Sequence, residues 1–269
     1  MTENIPKIIV IVPYRDREEH RNMFIERMPA ILNHLSYKIF FIHQYDNRLF
    51  NRGAIKNIGF LAVKERYPYH YKDITLVFND VDTMPRTKYQ FSYNTNANSV
   101  NHFYGYRQTL GGIFAIKGRD FERLNGFPNI WTWGLEDNSF KMRCDKHHLP
   151  INRTEFISYK ESHKILALDH GAMRIISPNI ESKLYQNPSR DGITTLYDIK
   201  YQTIDIAPNI EEVLVKHFKT PESFSSPMVK YAALHSAYNF ETLNKKIKVG
   251  NNKVTILSGK RSHRKLLFP

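Results

Sequence analysis

The chain has 269 residues, 41% hydrophobic and 13% aromatic, with one cysteine, Cys144. That length can bury a full core, and a single cysteine excludes an intrachain disulfide and a cysteine-built zinc cluster. The formal charge of +13 is uneven, because eight Lys or Arg and no Asp or Glu stand between Thr242 and Pro269. A basic body suits anionic ligands such as nucleoside diphosphates, and a basic tail suits nucleic acid, an anionic membrane or an acidic polymer. No apolar run reaches the length of a membrane span, and Met1-Thr2-Glu3-Asn4 lacks the order of a signal peptide. The expectation is a soluble, cytoplasmic protein, unless an anchor has been separated from it.

Lys7–Val12 (KIIVIV) is a β-branched run that reads as a strand buried on both faces. The loop Pro13–Arg17 leads into a helix over Glu18–His34, with acids early and Met23, Phe24, Met28, Ile31 and Leu32 at helical spacing. Tyr37–Gln44 reads as a second strand, Asn51–Tyr67 as a second helix closed by Pro68, and Ile74–Asn79 as a third strand. The order β-α-β-α-β is the mark of a parallel sheet. Thr83–Gln108, rich in Asn, Tyr and Ser, reads as irregular surface structure. Gly111–Ile116 reads as a strand opened by two glycines, Gly118–Leu124 as a short helix, Asn125–Asn129 as a turn and Glu136–His148 as a helix. Beyond Pro150 the pattern weakens. An apolar run, Ile165–Leu168, is followed by a turn and strands through Asp191–Tyr197 and Lys200–Ile206, and by a short helix over Pro208–Lys216. The expected division is one domain over residues 1–220 and an extension over residues 221–269 that carries the basic tail.

The third strand ends in Asp80-Val81-Asp82. Residues i and i+2 of a strand share a face, so both carboxylates stand at the carboxyl rim of the sheet, where open α/β sheets bind ligands. Such a pair can hold a divalent cation, and the cation can hold a diphosphate. Arg15 and Arg17 follow the first strand to the same rim and can pair with phosphate oxygens. Pro13 and Tyr14 can line a base or ribose pocket. Gly111 and Gly112 permit close backbone approach to a ligand.

Four patterns stand in one order: Val12-Pro13-Tyr14-Arg15-Asp16-Arg17, then Phe50-Asn51-Arg52-Gly53, then Asp80-Val81-Asp82, then Gly111-Gly112 with Asn125-Gly126-Phe127 and Trp131-Thr132-Trp133-Gly134-Leu135-Glu136-Asp137. Together they resemble the β-1,4-galactosyltransferase family, including its xylosylprotein branch, from about Lys7 to about Tyr201. The resemblance implies a GT-A-like α/β fold, with a mixed, mainly parallel central sheet flanked by helices. It implies a metal-dependent, inverting transfer of a sugar from a UDP-sugar to a hydroxyl of a glycan or glycoprotein acceptor. Pro13, Tyr14, Arg15, Arg17, Phe50, Arg52, Asp80, Val81, Asp82, Thr109, Gly112 and Trp133 then fall at the donor. Asp82 and His170 fall at a manganese ion. Trp133, Glu136, Asp137 and Asn138 fall at the acceptor, with Asp137 as the base that takes the proton of the attacking hydroxyl. The family's setting would be a Golgi-type lumen.

The sequence departs from that pattern in three respects. Ala167 and Leu168 stand where the family supplies a further Met or His ligand, and neither side chain can coordinate a metal. Asn138 stands where the family usually has Asp. Thr109 stands where the galactose enzymes have Tyr, and a smaller residue leaves room for an N-acetyl group, so UDP-GalNAc joins UDP-Gal as an expected donor. The first two departures keep a catalytically impaired sugar- or nucleotide-sugar-binding protein as the alternative. A nucleic-acid binder acting through the basic tail ranks third.

Overall fold

In the computed structural model, which describes residues 4–131, 134–168 and 190–221, the β-branched run after Lys7 forms β1 (Ile8–Tyr14), buried along its whole length. Its side chains alternate between two cores: Ile9 and Ile11 join one, and Ile8, Val10 and Val12 the other. A strand buried on both faces needs cover on both. Helix α1 (Glu18–Leu32) brings Phe24, Met28 and Leu32 to one face. Beyond β2 (Tyr37–Gln44), helix α2 (Arg52–Arg66) brings Ala54, Ile55, Ile58 and Val63 to the other. Asn51 caps α2 by accepting the Ala54 N–H at 2.9 Å. Gly59 lets α2 lie close on the sheet, since a Cβ there would stand 2.8 Å from both Ile11 and Ile42.

The chain continues through β3 (Thr75–Asn79), β4 (Thr83–Pro85), β5 (Val100–Gly105) and β6 (Ile113–Lys117) to α3 (Gly118–Arg123) and α4 (Glu136–Lys146). Then come β7 (Ile151–Asn152), β8 (Ile157–Ser158), β9 (Ile165–Ala167), β10 (Tyr197–Ala207) and β11 (Ile210–Lys219). Across the main sheet the order is β10-β11-β2-β1-β3-β6-β5-β7, with β8 also on β5, while β4 and β9 pair separately. The pairs β3–β6, β5–β6 and β10–β11 are antiparallel and the other pairs of the main sheet are parallel. This is the mixed, mainly parallel α/β sheet that the sequence implies. Because β2 and β3 lie on opposite sides of β1, the connection reverses there, and the crevice at the carboxyl ends of β1 and β3 is the ligand-binding switch point of such sheets.

Two expectations are corrected. Thr83–Gln108 is not irregular throughout, because it contains β4 and β5. The polar His102 disguises β5, but it is 1% exposed and its Nε2 lies 3.1 Å from the carbonyls of both Tyr104 and Gly111. The helix expected over Pro208–Lys216 is strand β11. Glu211 and Glu212 look like the acidic first turn of a helix, yet each is matched across the sheet. Glu211 meets Lys38 at 2.6 Å and Arg66 at 3.7 Å, and Glu212 meets His43 at 2.6 Å and Arg21. No helix of the described residues is long and apolar enough to cross a membrane.

Candidate active site

Backbone contacts set the shape of the acidic rim. The Asp80 N–H donates to the Gly112 carbonyl at 3.2 Å. Gly112 has φ +75, and a Cβ on it would collide with the Tyr104 carbonyl, so the close approach of this segment to β5 requires glycine there. The Asn79 amide donates to the carbonyls of Asp80 and Thr83, each at 2.8 Å, and folds the turn back on itself. Val81, 5% exposed, anchors the turn in the core. On the far side the Leu168 N–H donates to the Asp82 carbonyl at 2.8 Å, so the chain leaving β9 passes directly by Asp82.

Arg52, the first residue of α2, joins this rim to the start of α4. Its guanidinium holds Asp80, with Nε at 3.2 Å, and its Nη1 reaches Glu136 at 2.6 Å and the two oxygens of Asp137 at 3.0 and 2.9 Å. One helical turn further on, Lys56 Nζ lies 2.9 Å from Asp137 Oδ1 and 4.2 Å from the centre of the Phe127 ring. Lys56 is 1% exposed. Burial works against the charge of Arg52, but Asp137, Asp80 and Glu136 outweigh it and hold the guanidinium well above its usual range. Burial and the charge of Arg52 push Lys56 down, and the carboxylates only partly restore it. Burial would raise the Asp137 carboxyl, but Arg52 and Lys56 win and hold it below the usual carboxylate range. Asp137 is therefore ionised at neutral pH and equipped to accept a proton. Leu135, the residue before α4, is left-handed at φ +65 and sets the direction in which Glu136 and Asp137 emerge.

The other sequence-derived residues surround this hub. Pro13 and Tyr14 close β1, and the Tyr14 ring meets His43 edge-on at 4.7 Å. Arg15 contacts Asp16 at 3.1 Å, Asp46 at 3.7 Å and the Arg48 carbonyl. Arg17 Nη1 lies 3.8 Å from Asp82 Oδ2. Phe50 packs partly buried against the core below α2. Thr109 is 5% exposed, with its N–H and its hydroxyl both directed at the Tyr106 carbonyl, at 3.1 and 3.4 Å. The next residue, Leu110, donates its N–H to the Asp137 carbonyl at 3.2 Å. Asn138 is half-buried beside Asp137. Trp133 and His170 lie outside the described residues, as does the basic tail.

Among the described residues no three His, Cys, Asp or Glu side chains are grouped to hold a metal. What stands at the rim fits a hard divalent cation nonetheless. Asp82 supplies carboxylate oxygens, and the buried Tyr104 hydroxyl has no hydrogen-bond partner among the described residues. Burial raises the pKa of that hydroxyl, followed by Tyr159, Asp82, Tyr106 and Asp80, which places it within the field of the acidic pair.

Lys56 and Phe127 escaped the sequence reading as site residues. The available signal was a lysine at position i+4 from Arg52, on a helical stretch whose neighbours Ala54, Ile55, Ile58 and Val63 are all apolar. Such a cation is buried only with a partner.

Comparisons with known proteins bear on the family and the fold. Residues 3–95 match the family model described as the N-terminal region of glycosyl transferase group 7, and residues 92–170 match the one described as the N-terminal domain of galactosyltransferase. The chain is 30% identical to the xylosylprotein 4-beta-galactosyltransferase of Caenorhabditis elegans over 210 residues, 72% of this chain and 71% of that protein. It is 28% identical to β-1,4-galactosyltransferase 4 of Cricetulus griseus over 160 residues, 55% of this chain and 45% of that protein. It thus spans about half the length of several curated relatives that it matches. In fold it is similar to the catalytic domain of Drosophila beta1,4galactosyltransferase 7 solved with xylobiose. The TM-score is 0.60 and the identity 21%, over 79% of this chain and 94% of that one. A mutant of the same Drosophila enzyme, with one Asp replaced by Asn, has been solved with manganese, UDP-Gal and xylobiose. With a switch-point acidic rim, two family models in register and a relative matched over most of its length, the chain belongs to the β-1,4-galactosyltransferase family.

Proposed function

We propose that this protein is a metal-dependent, inverting glycosyltransferase. It moves galactose or N-acetylgalactosamine from a UDP-sugar to a hydroxyl of a glycan or glycoprotein, leaving a β-linkage. One observation carries the reading: Arg52 binds the rim carboxylate Asp80 and the α4 carboxylates Glu136 and Asp137 at once, which sets an ionised base beside the acidic rim at the switch point of the sheet.

The donor lies across Pro13, Tyr14, Arg15, Arg17, Phe50, Arg52, the Asp80-Val81-Asp82 turn, Thr109, Gly112 and Trp133. Asp82 and His170 are the residues that would hold Mn²⁺, the ion present with UDP-Gal in the Drosophila structure. His170 follows by two residues Leu168, whose N–H is bonded to the Asp82 carbonyl, so chain length sets no obstacle to a shared ion. An ion held there would supply charge neutralisation for the departing diphosphate, so no general acid would be needed. Trp133, Glu136 and Asn138 hold the acceptor. Asp137 takes the proton of the acceptor hydroxyl, whose oxygen bonds to the anomeric carbon from the face opposite the diphosphate. The bond from that carbon to UDP breaks, and its electron pair leaves on the phosphate oxygen. Residues 1–220 form this catalytic domain, and residues 221–269 are an extension to it.

A second reading rests on Ala167 and Leu168. They run beside Thr83 and Asp82 and bring no side-chain ligand to the rim, which favours a sugar-nucleotide-binding protein without turnover. The test is UDP release from UDP-Gal and UDP-GalNAc across varied acceptors, with Mn²⁺ and with chelator. Metal-dependent release that vanishes in Asp82→Ala supports the transferase. Tight UDP binding with no release from any sugar donor supports the binder.

A further inference from the structure

The reaction proposed above uses Asp137 and leaves Lys56 without a part. Lys56 is 1% exposed, so no substrate touches it. An ammonium in the core is costly, and an apolar side chain would fill the space against Phe127 without that cost. The ammonium has a specific target. Asp137 Oδ1 receives both Lys56 at 2.9 Å and Arg52 at 3.0 Å, whereas Oδ2 receives Arg52 alone, at 2.9 Å. Oδ2 also lies so close to Gly111 that a Cβ there would collide with it. The two oxygens are therefore unequal: one is taken from within by two cations, and the other faces the glycine pair that opens β6.

Arg52 has further demands on it. It also holds Asp80 and Glu136, and it belongs to the proposed donor site. A donor that draws Arg52 toward its phosphates removes one of the cations on Asp137. Lys56 makes no such contact with the rim and stays where it is.

We propose that Lys56 is a positioning residue for the base: it clamps Oδ1 of Asp137 from the core side, aims Oδ2 at the acceptor hydroxyl, and keeps the carboxylate ionised while Arg52 serves the donor. This rests on the reading of Asp137 as the base. Among the described residues, the titratable and charged groups around Asp137 are Arg52 and Lys56 on α2, Glu136 on its own helix, Asp80 after β3, and His102 on β5, which burial keeps neutral. Of these, Lys56 alone is both in contact with Asp137 and outside the donor site.

The test is Lys56→Met, which keeps the length and removes the charge. In the manganese-loaded enzyme the acidic limb of the kcat/KM profile should move up by about one pH unit, as expected when a carboxylate loses a contacting cation. The kcat at pH 7 should fall roughly tenfold with little change in KM for the UDP-sugar. Manganese-dependent UDP binding by calorimetry checks that the variant is folded. A ¹³C titration of the Asp137 carboxyl, assigned through Asp137→Asn, should show the same upward move without any turnover. If both the limb and the titration stay where the wild type has them, Lys56 only fills space and the proposal fails. A wild type that transfers nothing overturns the transferase reading instead, and the carboxyl titration still decides whether the clamp exists.

Discussion

Two arginines that tie distant parts of this fold together, Arg143 and Arg52, are held in opposite ways. Arg143, in α4 and 1% exposed, donates to the carbonyls of Leu124, Asn125, Gly126 and Asp191. Those carbonyls belong to the turn after α3 and to the segment before β10, so one guanidinium joins two stretches far apart in the chain. Burial pulls its pKa to about 10, with only partial relief from Asp191. Arg52 is instead surrounded by full charges, on Asp80, Glu136 and Asp137. A backbone carbonyl has no other partner to go to. A carboxylate at a rim can exchange its arginine for a metal ion, a phosphate-bound cation or a substrate hydroxyl. The first arrangement fixes a shape, and the second holds charge ready for exchange.

Removing charge from the exchangeable set tests this most severely. Asp137→Asn should lower transfer by roughly 10³-fold while UDP binding survives, because an amide cannot accept the hydroxyl proton. Equal loss of transfer and of UDP binding would mean that Asp137 builds the site and does not act in it. Next in size is Arg143→Met, which takes the guanidinium from the carbonyls of Leu124, Gly126 and Asp191 and leaves that of Asn125 with the Ile193 N–H alone; it should cost about 3 kcal/mol in denaturant unfolding, with no recovery when Mn²⁺ and UDP are added beyond the wild-type gain. Arg52→Met should also destabilise, but Mn²⁺ alone should restore more stability to it than to the wild type, since a cation at the rim offsets the charge left uncompensated on Asp80. If the two arginine variants respond alike to ligand, the contrast drawn here is wrong.

His102 belongs with Arg143, because it too is held by carbonyls, those of Tyr104 and Gly111. Burial lowers its pKa to about 4, against an ordinary value of 6.5. The unfolded chain then binds the extra proton between those values and the folded one does not. The contribution of His102 is complete above pH 6.5 and falls away as the pH drops toward 4, by roughly 2–3 kcal/mol. Stability curves for the wild type and His102→Gln should converge across that window; parallel curves would show that His102 is not buried neutral. The smallest effect is at the donor. Thr109→Tyr should shift the preference between UDP-GalNAc and UDP-Gal toward UDP-Gal by about tenfold, the scale of a pocket contact. An unchanged ratio would remove Thr109 from donor choice.

What could be read from sequence followed from how local each signal was. The run from β1 to β3 is legible because each strand and helix carries its own period, and the acidic turn after Asn79 stands out at the end of an apolar strand. β11 was hidden because Glu211 and Glu212 make sense only beside Lys38, Arg66, His43 and Arg21, which lie on other elements. β5 was hidden because His102 is satisfied by carbonyls that the sequence does not pair with it. In the site, Asp82, Arg52 and Asp137 were legible through the order of their motifs. Lys56 was not, since its partner Asp137 stands 81 positions away and the pairing exists only once α2 and α4 meet.

Leu135 holds a left-handed backbone that a branched side chain adopts only at a cost of about 1 kcal/mol. Replacement by Asn or Gly would release that energy. Selection for heat resistance should therefore converge on this joint. The variants it yields would gain melting temperature by relaxing the hinge from which the acid pair hangs, and would trade aim for durability.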